Sequence, residues 1–114
     1  MADLITIARP YAEAAFSLAR EQGDLDRWSR VLQFLSLLVQ DAEAAKMLSN
    51  PSIANAGKLK FIAEVAGADL DATGRNLVQA LLDNGRIALL PEIHKLYEAS
   101  RQAHEGRIEA TVLT

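Results

Sequence analysis

Asp69-Leu70-Asp71-Ala72-Thr73-Gly74 is the stretch closest to a ligand-binding motif. Oxygen donors at its first, third and fifth positions and a glycine at the sixth are what a calcium loop needs. The twelfth position is Ala80, where that loop requires a bidentate glutamate, so the segment reads as a capped turn. Gly57-Lys58 lacks the upstream glycine and the following Ser or Thr of a phosphate-binding loop, and reads as an exposed helix start. His94 and His104 stand too far apart for an i, i+4 zinc pair, and no adjacent acid completes a motif; solvent exposure or partial burial accounts for them. Asp24 and Asp26 as paired carboxylates are better explained by a helix cap. Catalytic residues, cofactors and metals are therefore not expected.

Composition narrows the class further. One domain's worth of chain, 114 residues, is half apolar with only one Trp, two Tyr and three Phe, so its core must be built from Leu, Ala, Ile and Val, a mixture that favours helices. A net charge of −3 argues against binding nucleic acid by general electrostatic attraction. Cysteine is absent, which excludes disulfides and thiolate metal sites. No apolar run approaches the ~20 residues that span a bilayer, so direct membrane insertion is not expected.

The spacing predicts six helices. Asp3 or Thr6 caps the first, Pro10 is expected near its start, and Gly23 suits its left-handed end. Asp24 opens a second, from about Leu25 to Gln40, with Leu25, Trp28, Val31, Leu32, Leu35, Leu38 and Val39 at core spacing, which makes Trp28 a packing residue. Asp41 caps a short third, 42–48, stopped by Asn50-Pro51. A fourth starts at Asn55 with Leu59, Ile62 and Val65 inward, a fifth runs 72–84, and a sixth runs 88–104 with Leu90, Ile93, Leu96, Tyr97 and Ser100 inward. After Gly106, Ile108, Ala110 and Val112 alternate with Glu109 and Thr111, which is strand spacing. The expected fold is therefore all-α, a six-helix bundle over 1–106, with a strand-like tail at 107–114 that opens a truncated second domain.

The first helix carries more apolar surface than one packing face uses. Arg9, Glu13, Ser17 and Arg20 form a narrow polar strip; Tyr11, Ala14, Ala15 and Leu18 make one apolar stripe, and Ala8, Ala12, Phe16 and Ala19 make another. The fifth repeats the pattern, with Arg75, Gln79, Asp83 and Arg86 polar and Leu77, Val78, Ala80, Leu81 and Leu82 covering the rest. Side by side, the two would set Tyr11, Ala14, Ala15 and Leu18 across a shallow trough from Leu77, Ala80, Leu81 and Asn84, a shape suited to an amphipathic helix. The same stripes would equally serve to pack the bundle internally, and Tyr11 would equally serve as a side chain with a buried ring and a wet hydroxyl.

Thr6-Ile7-Ala8-Arg9-Pro10-Tyr11-Ala12-Glu13-Ala14-Ala15-Phe16 resembles the amino-terminal signature of the delta subunit of bacterial F-type ATP synthase, called OSCP in mitochondria. Asn84-Gly85-Arg86-Ile87, Leu89-Leu90-Pro91 and Gly106-Arg107-Ile108-Glu109-Ala110-Thr111-Val112 agree with it. The resemblance implies a non-catalytic stator subunit at the cytoplasmic face of the bacterial inner membrane, joining the alpha/beta head to the peripheral stalk. It implies that the first and fifth helices receive the amino-terminal helix of an alpha subunit at Tyr11, Ala14, Ala15, Leu18, Leu77, Ala80, Leu81 and Asn84, and that the second domain contacts the b-subunit. Three or four apolar anchors would contribute roughly 5–12 kcal/mol gross. The competing reading is a helical adaptor that binds an unrelated amphipathic helix.

Overall fold

The computed structural model describes residues 3–113, with side-chain surroundings over 3–106. Six helices follow one another: α1 (Leu4–Gln22), α2 (Leu25–Gln40), α3 (Ala42–Ser49), α4 (Asn55–Ala66), α5 (Ala72–Asp83) and α6 (Leu90–Leu113). Short 3₁₀ turns, Gly67–Asp69 and Ile87–Leu89, lead into α5 and α6. No strand occurs among the described residues.

Local chemistry sets most of the boundaries. Asp3 accepts from the Ile5 amide, Asp41 from the Ala44 amide and Asp71 from the Gly74 amide, each satisfying a donor that the first turn of a helix leaves free. Gly23 closes α1 in the left-handed region (φ 65°), where a side chain would be strained. Asp24 precedes α2 as expected but caps nothing; its carboxylate goes instead to Arg27 Nε at 2.7 Å.

The core lies where α6 is clasped by α1 and α2, with α3, α4 and α5 completing the bundle. Leu90, Ile93 and Tyr97 of α6 are fully enclosed, and Tyr97 Oη donates to the Leu25 carbonyl at 2.7 Å. Phe16 meets the Tyr97 ring edge-on, with centroids 5.9 Å apart. Trp28 is buried in the core as expected, its indole N–H donating to Gln22 Oε1 at 3.0 Å. The alanines at 8, 12, 15 and 19 let α1 approach α6 closely, because no longer side chain holds the backbones apart.

Four expectations need correction. Helix α1 begins at Leu4, so Pro10 is its seventh residue rather than part of its first turn. Both Pro10 and Thr6, whose carbonyl loses its helical donor, are exposed, so water can replace the missing bond. Val65 is exposed instead of inward, since α4 buries only Ile62 and Lys58 fully. Lys58, expected at an exposed helix start, is buried, with its alkyl stem covered. Finally, α6 does not stop at Gly106: the backbone stays helical to Leu113 where strand spacing was expected. A strand with no neighbour leaves its amides unpaired, whereas a helix satisfies them internally and bears one glycine at a cost of about 1 kcal/mol. The side chains of 107–113, and hence the alternation there, lie outside the described residues.

Candidate functional site: the seam between α1 and α5

Two hydrogen bonds pin α1 against α5. At one end, Asn84 Nδ2 donates to Tyr11 Oη at 3.0 Å; at the other, Gln22 Nε2 donates to Thr73 Oγ1 at 3.2 Å. The pinned positions are eleven residues apart on both segments and run in opposite senses, so the helices are antiparallel over roughly 16 Å. Of the eight sequence-predicted positions, Tyr11 and Asn84 are brought into contact; the other six lie on the two segments between the pins, where α1 and α5 touch only lightly.

These positions do not share one exposure. Ala14 and Asn84 are exposed, and Tyr11, Leu18 and Ala80 are half-buried. Ala15, Leu77 and Leu81 are buried and form the floor, facing the core rather than an incoming ligand. The reason is geometric: α6 draws the alanine stripe of α1 inward and takes Ala15 with it, while α5 rests chiefly on α4 and touches α1 lightly. What stays open is a shallow strip with Tyr11 at its mouth.

Polar groups hold that mouth in shape. Arg86 Nη1 donates to Tyr11 Oη at 3.1 Å, and its guanidinium carbon stands 5.9 Å from the Tyr11 ring centroid. The phenol therefore accepts two hydrogen bonds from beyond the end of α5. At the other end Arg27 reaches Asp24, Gln22 Oε1 at 2.9 Å, the Asp69 carbonyl at 3.3 Å and Asp71 Oδ2 at 3.0 Å, tying the α1–α2 turn to the start of α5. The Gly74 amide and the Arg27 guanidinium hold the Asp71 carboxyl below its usual range, and Asp71 in turn raises Arg27. The stretch that resembled a calcium loop is a helix cap with an arginine partner.

Sequence reading missed two members of the strip. Leu4, Ile7, Tyr11, Ala14 and Leu18 recur at alternating intervals of three and four, which puts them on one face. Leu4 is 55% exposed and Ile7 half-buried, so the apolar strip extends to the first residue of α1. Their spacing was readable, but with the start left open between Asp3 and Thr6 neither residue was assigned to the stripe.

Other polar clusters are satisfied within the chain. Arg101 pairs with Asp26 and Glu105 and donates to Ser29 Oγ at 2.7 Å, all beside an open cavity of about 430 Å³ that His104 also lines. His94 pairs with Glu98 at 3.2 Å. Among the described residues no group of three or more His, Cys, Asp or Glu is placed to hold a metal. No described helix is long and apolar enough to cross a membrane.

A chain of six packed helices with no strand among the described residues belongs to the class of all-α helical bundles. The comparison with known proteins makes the family specific: residues 7–114 match the family described as ATP synthase delta (OSCP) subunit, and the chain belongs to it. It is 42% identical over 114 residues to the ATP synthase subunit delta of Nitrosomonas europaea and 40% identical over 114 residues to that of Nitrosospira multiformis, covering all of this chain and 64% of each relative. To the ATP synthase subunit delta of Acinetobacter baumannii it is 41% identical over 112 residues, 98% of this chain and 63% of the relative. The chain thus spans somewhat less than two thirds of the length of these relatives.

Proposed function

We propose that this chain is the alpha-subunit-binding part of a non-catalytic stator subunit of F-type ATP synthase. It docks the amino-terminal helix of an alpha subunit along the α1–α5 seam and supports proton-driven ATP synthesis by holding the alpha/beta head still against the rotor. Family membership supports the assembly, and the relatives bear the name ATP synthase subunit delta. The observation that carries the docking reading is the pinned antiparallel register, which leaves Tyr11, Ala14, Leu18 and Ala80 accessible beside exposed Leu4.

Magnitudes decide how strong this contact is. Covering the remaining surface of four or five partly exposed apolar side chains stabilises by roughly 3–6 kcal/mol gross, comparable to the low end of the association cost. A second attachment is then needed for a durable link, which a carboxy-terminal domain of the subunit contacting the b-subunit would supply. The subunit works as a peripheral part of the complex at the cytoplasmic face of the bacterial inner membrane.

Titration with an alpha-subunit amino-terminal peptide tests the reading. Amide shifts centred on residues 4–18 and 77–86, saturating with peptide, are expected. Shifts absent, or centred on α2 or α4, would overturn it.

A further inference from the structure

A second concave site lies on the far side of the last turn of α5. There the end of α2, α3, the start of α4 and the turn before α6 enclose a cavity of about 520 Å³. That volume is within the ~300–1,000 Å³ of small-molecule sites. Val39, Leu48, Leu82, Ile87 and Ala88 give it an apolar lining, into which Lys58 is set. Lys58 is 9% exposed as a whole, and among the described residues its ammonium has neither an ion-pair nor a hydrogen-bond partner; no buried side-chain nitrogen there is left unpartnered, so the stem is covered while Nζ reaches solvent at the edge of the cavity.

The last turns of α2, α3 and α5 also line the cavity and bring the negative ends of their helices, so an anion would be held locally, by Lys58 and the start of α4. Helix α4 begins with no side-chain cap and no acid in its first turn, so its open amides present positive potential beside Lys58. The nearby carboxylate, Asp83, accepts from Asn55 Nδ2 at 3.1 Å and from Gln79 Nε2 at 2.8 Å, which occupies its Oδ1. An apolar trough that ends in a partnerless ammonium and an uncapped helix start matches one ligand chemistry: an alkyl chain carrying a carboxylate.

We propose that this cavity binds an amphipathic alkyl carboxylate, with the chain along Leu48, Leu82 and Ile87 and the carboxylate on Lys58 Nζ. The site is separate from the α1–α5 seam and does not depend on the function proposed above. The probes are decanoate and decanol, each kept below the concentration at which it aggregates, followed by methyl and amide shifts on this chain. Decanoate is expected to produce saturable shifts at Leu48, Leu82 and Ile87. Lys58→Met keeps the buried stem and removes the charge; it is expected to weaken decanoate by about tenfold and to change decanol by less than about twofold. Ala88→Trp, at an exposed position on the rim, fills the trough and is expected to abolish both, which keeps the test decisive if Lys58→Met fails to fold. Equal affinity for decanoate and decanol, decanoate binding that survives Ala88→Trp, or shifts centred on Tyr11 would overturn the proposal. Saturable shifts here from an acidic amphipathic peptide with none from decanoate would overturn it in favour of a protein partner.

Discussion

The phenolic oxygen of Tyr11 lies 3.0 Å from the side-chain amide of Asn84, 73 residues further along the chain, and this bond closes one end of the α1–α5 seam. Its consequence is separable from docking. Tyr11→Phe removes acceptance from both Asn84 and Arg86 but keeps the ring, so stability should fall by about 0.5–1 kcal/mol, read from the denaturant midpoint. Tyr11→Asp should leave helicity largely intact and weaken the alpha peptide at least about tenfold in titration, because it places a charge in an apolar contact.

Leu81 and Ala14 belong to the same predicted trough but differ in burial, and should respond in opposite ways. Leu81 is enclosed, so Leu81→Ala should cost about 2–5 kcal/mol of stability and Leu81→Asp should unfold the bundle rather than report on binding. Ala14 is exposed, so Ala14→Asp should leave the unfolding midpoint within about 0.5 kcal/mol of the parent while weakening the peptide. Thermal melts and titrations on the same samples check both.

Acid should loosen the start of α5. The Asp71 carboxyl is held below its ordinary value of 3.8, first by the Gly74 amide and then by Arg27. A carboxyl lowered by folding contributes stability that is fully present above the ordinary value and is lost as pH falls through its folded value. Asp71→Asn should therefore be less stable than the parent at neutral pH and show a shallower loss below about pH 4. Denaturant midpoints measured from pH 7 to pH 2 give the comparison.

Alkali should act through Tyr97. Burial pushes its phenol up to about 12 from an ordinary 10.0. The folded state thus prefers the protonated form, and the stability it contributes is present below the ordinary value and lost as pH rises through 10 toward 12. Tyr97→Phe should flatten that alkaline loss and cost about 1 kcal/mol at pH 7, since it removes the bond to the Leu25 carbonyl. Trp28, being buried, reports this unfolding by fluorescence; for the same reason it is a poor reporter of peptide at the seam.

The sequence alone determined the six helices, though not the far end of the last, because helices are announced by local rules. Apolar spacing marked the faces, Asp41 marked the third start, Asp3 was one of two candidates for the first, Gly23 marked the first end, and the missing twelfth ligand at Ala80 made the 69–74 stretch a capped turn. The motif at residues 6–16 pointed to the family that residues 7–114 match. Tertiary structure decided which apolar stripe points inward. Both stripes of α1 are acceptable to an isolated helix, and only the approach of α6 assigns the alanines and Ala15 to the core while Tyr11 and Leu18 keep an open side. Leu77 and Leu81 went to the floor for the same reason: a side chain's exposure depends on neighbours distant in sequence. Lys58 shows the limit most plainly, since periodicity cannot reveal that its stem is buried beside residues of α3 and of the turn before α6, which line the same cavity. The register of α1 on α5, set by Tyr11–Asn84 and Gln22–Thr73, exists only once the chain has closed on itself.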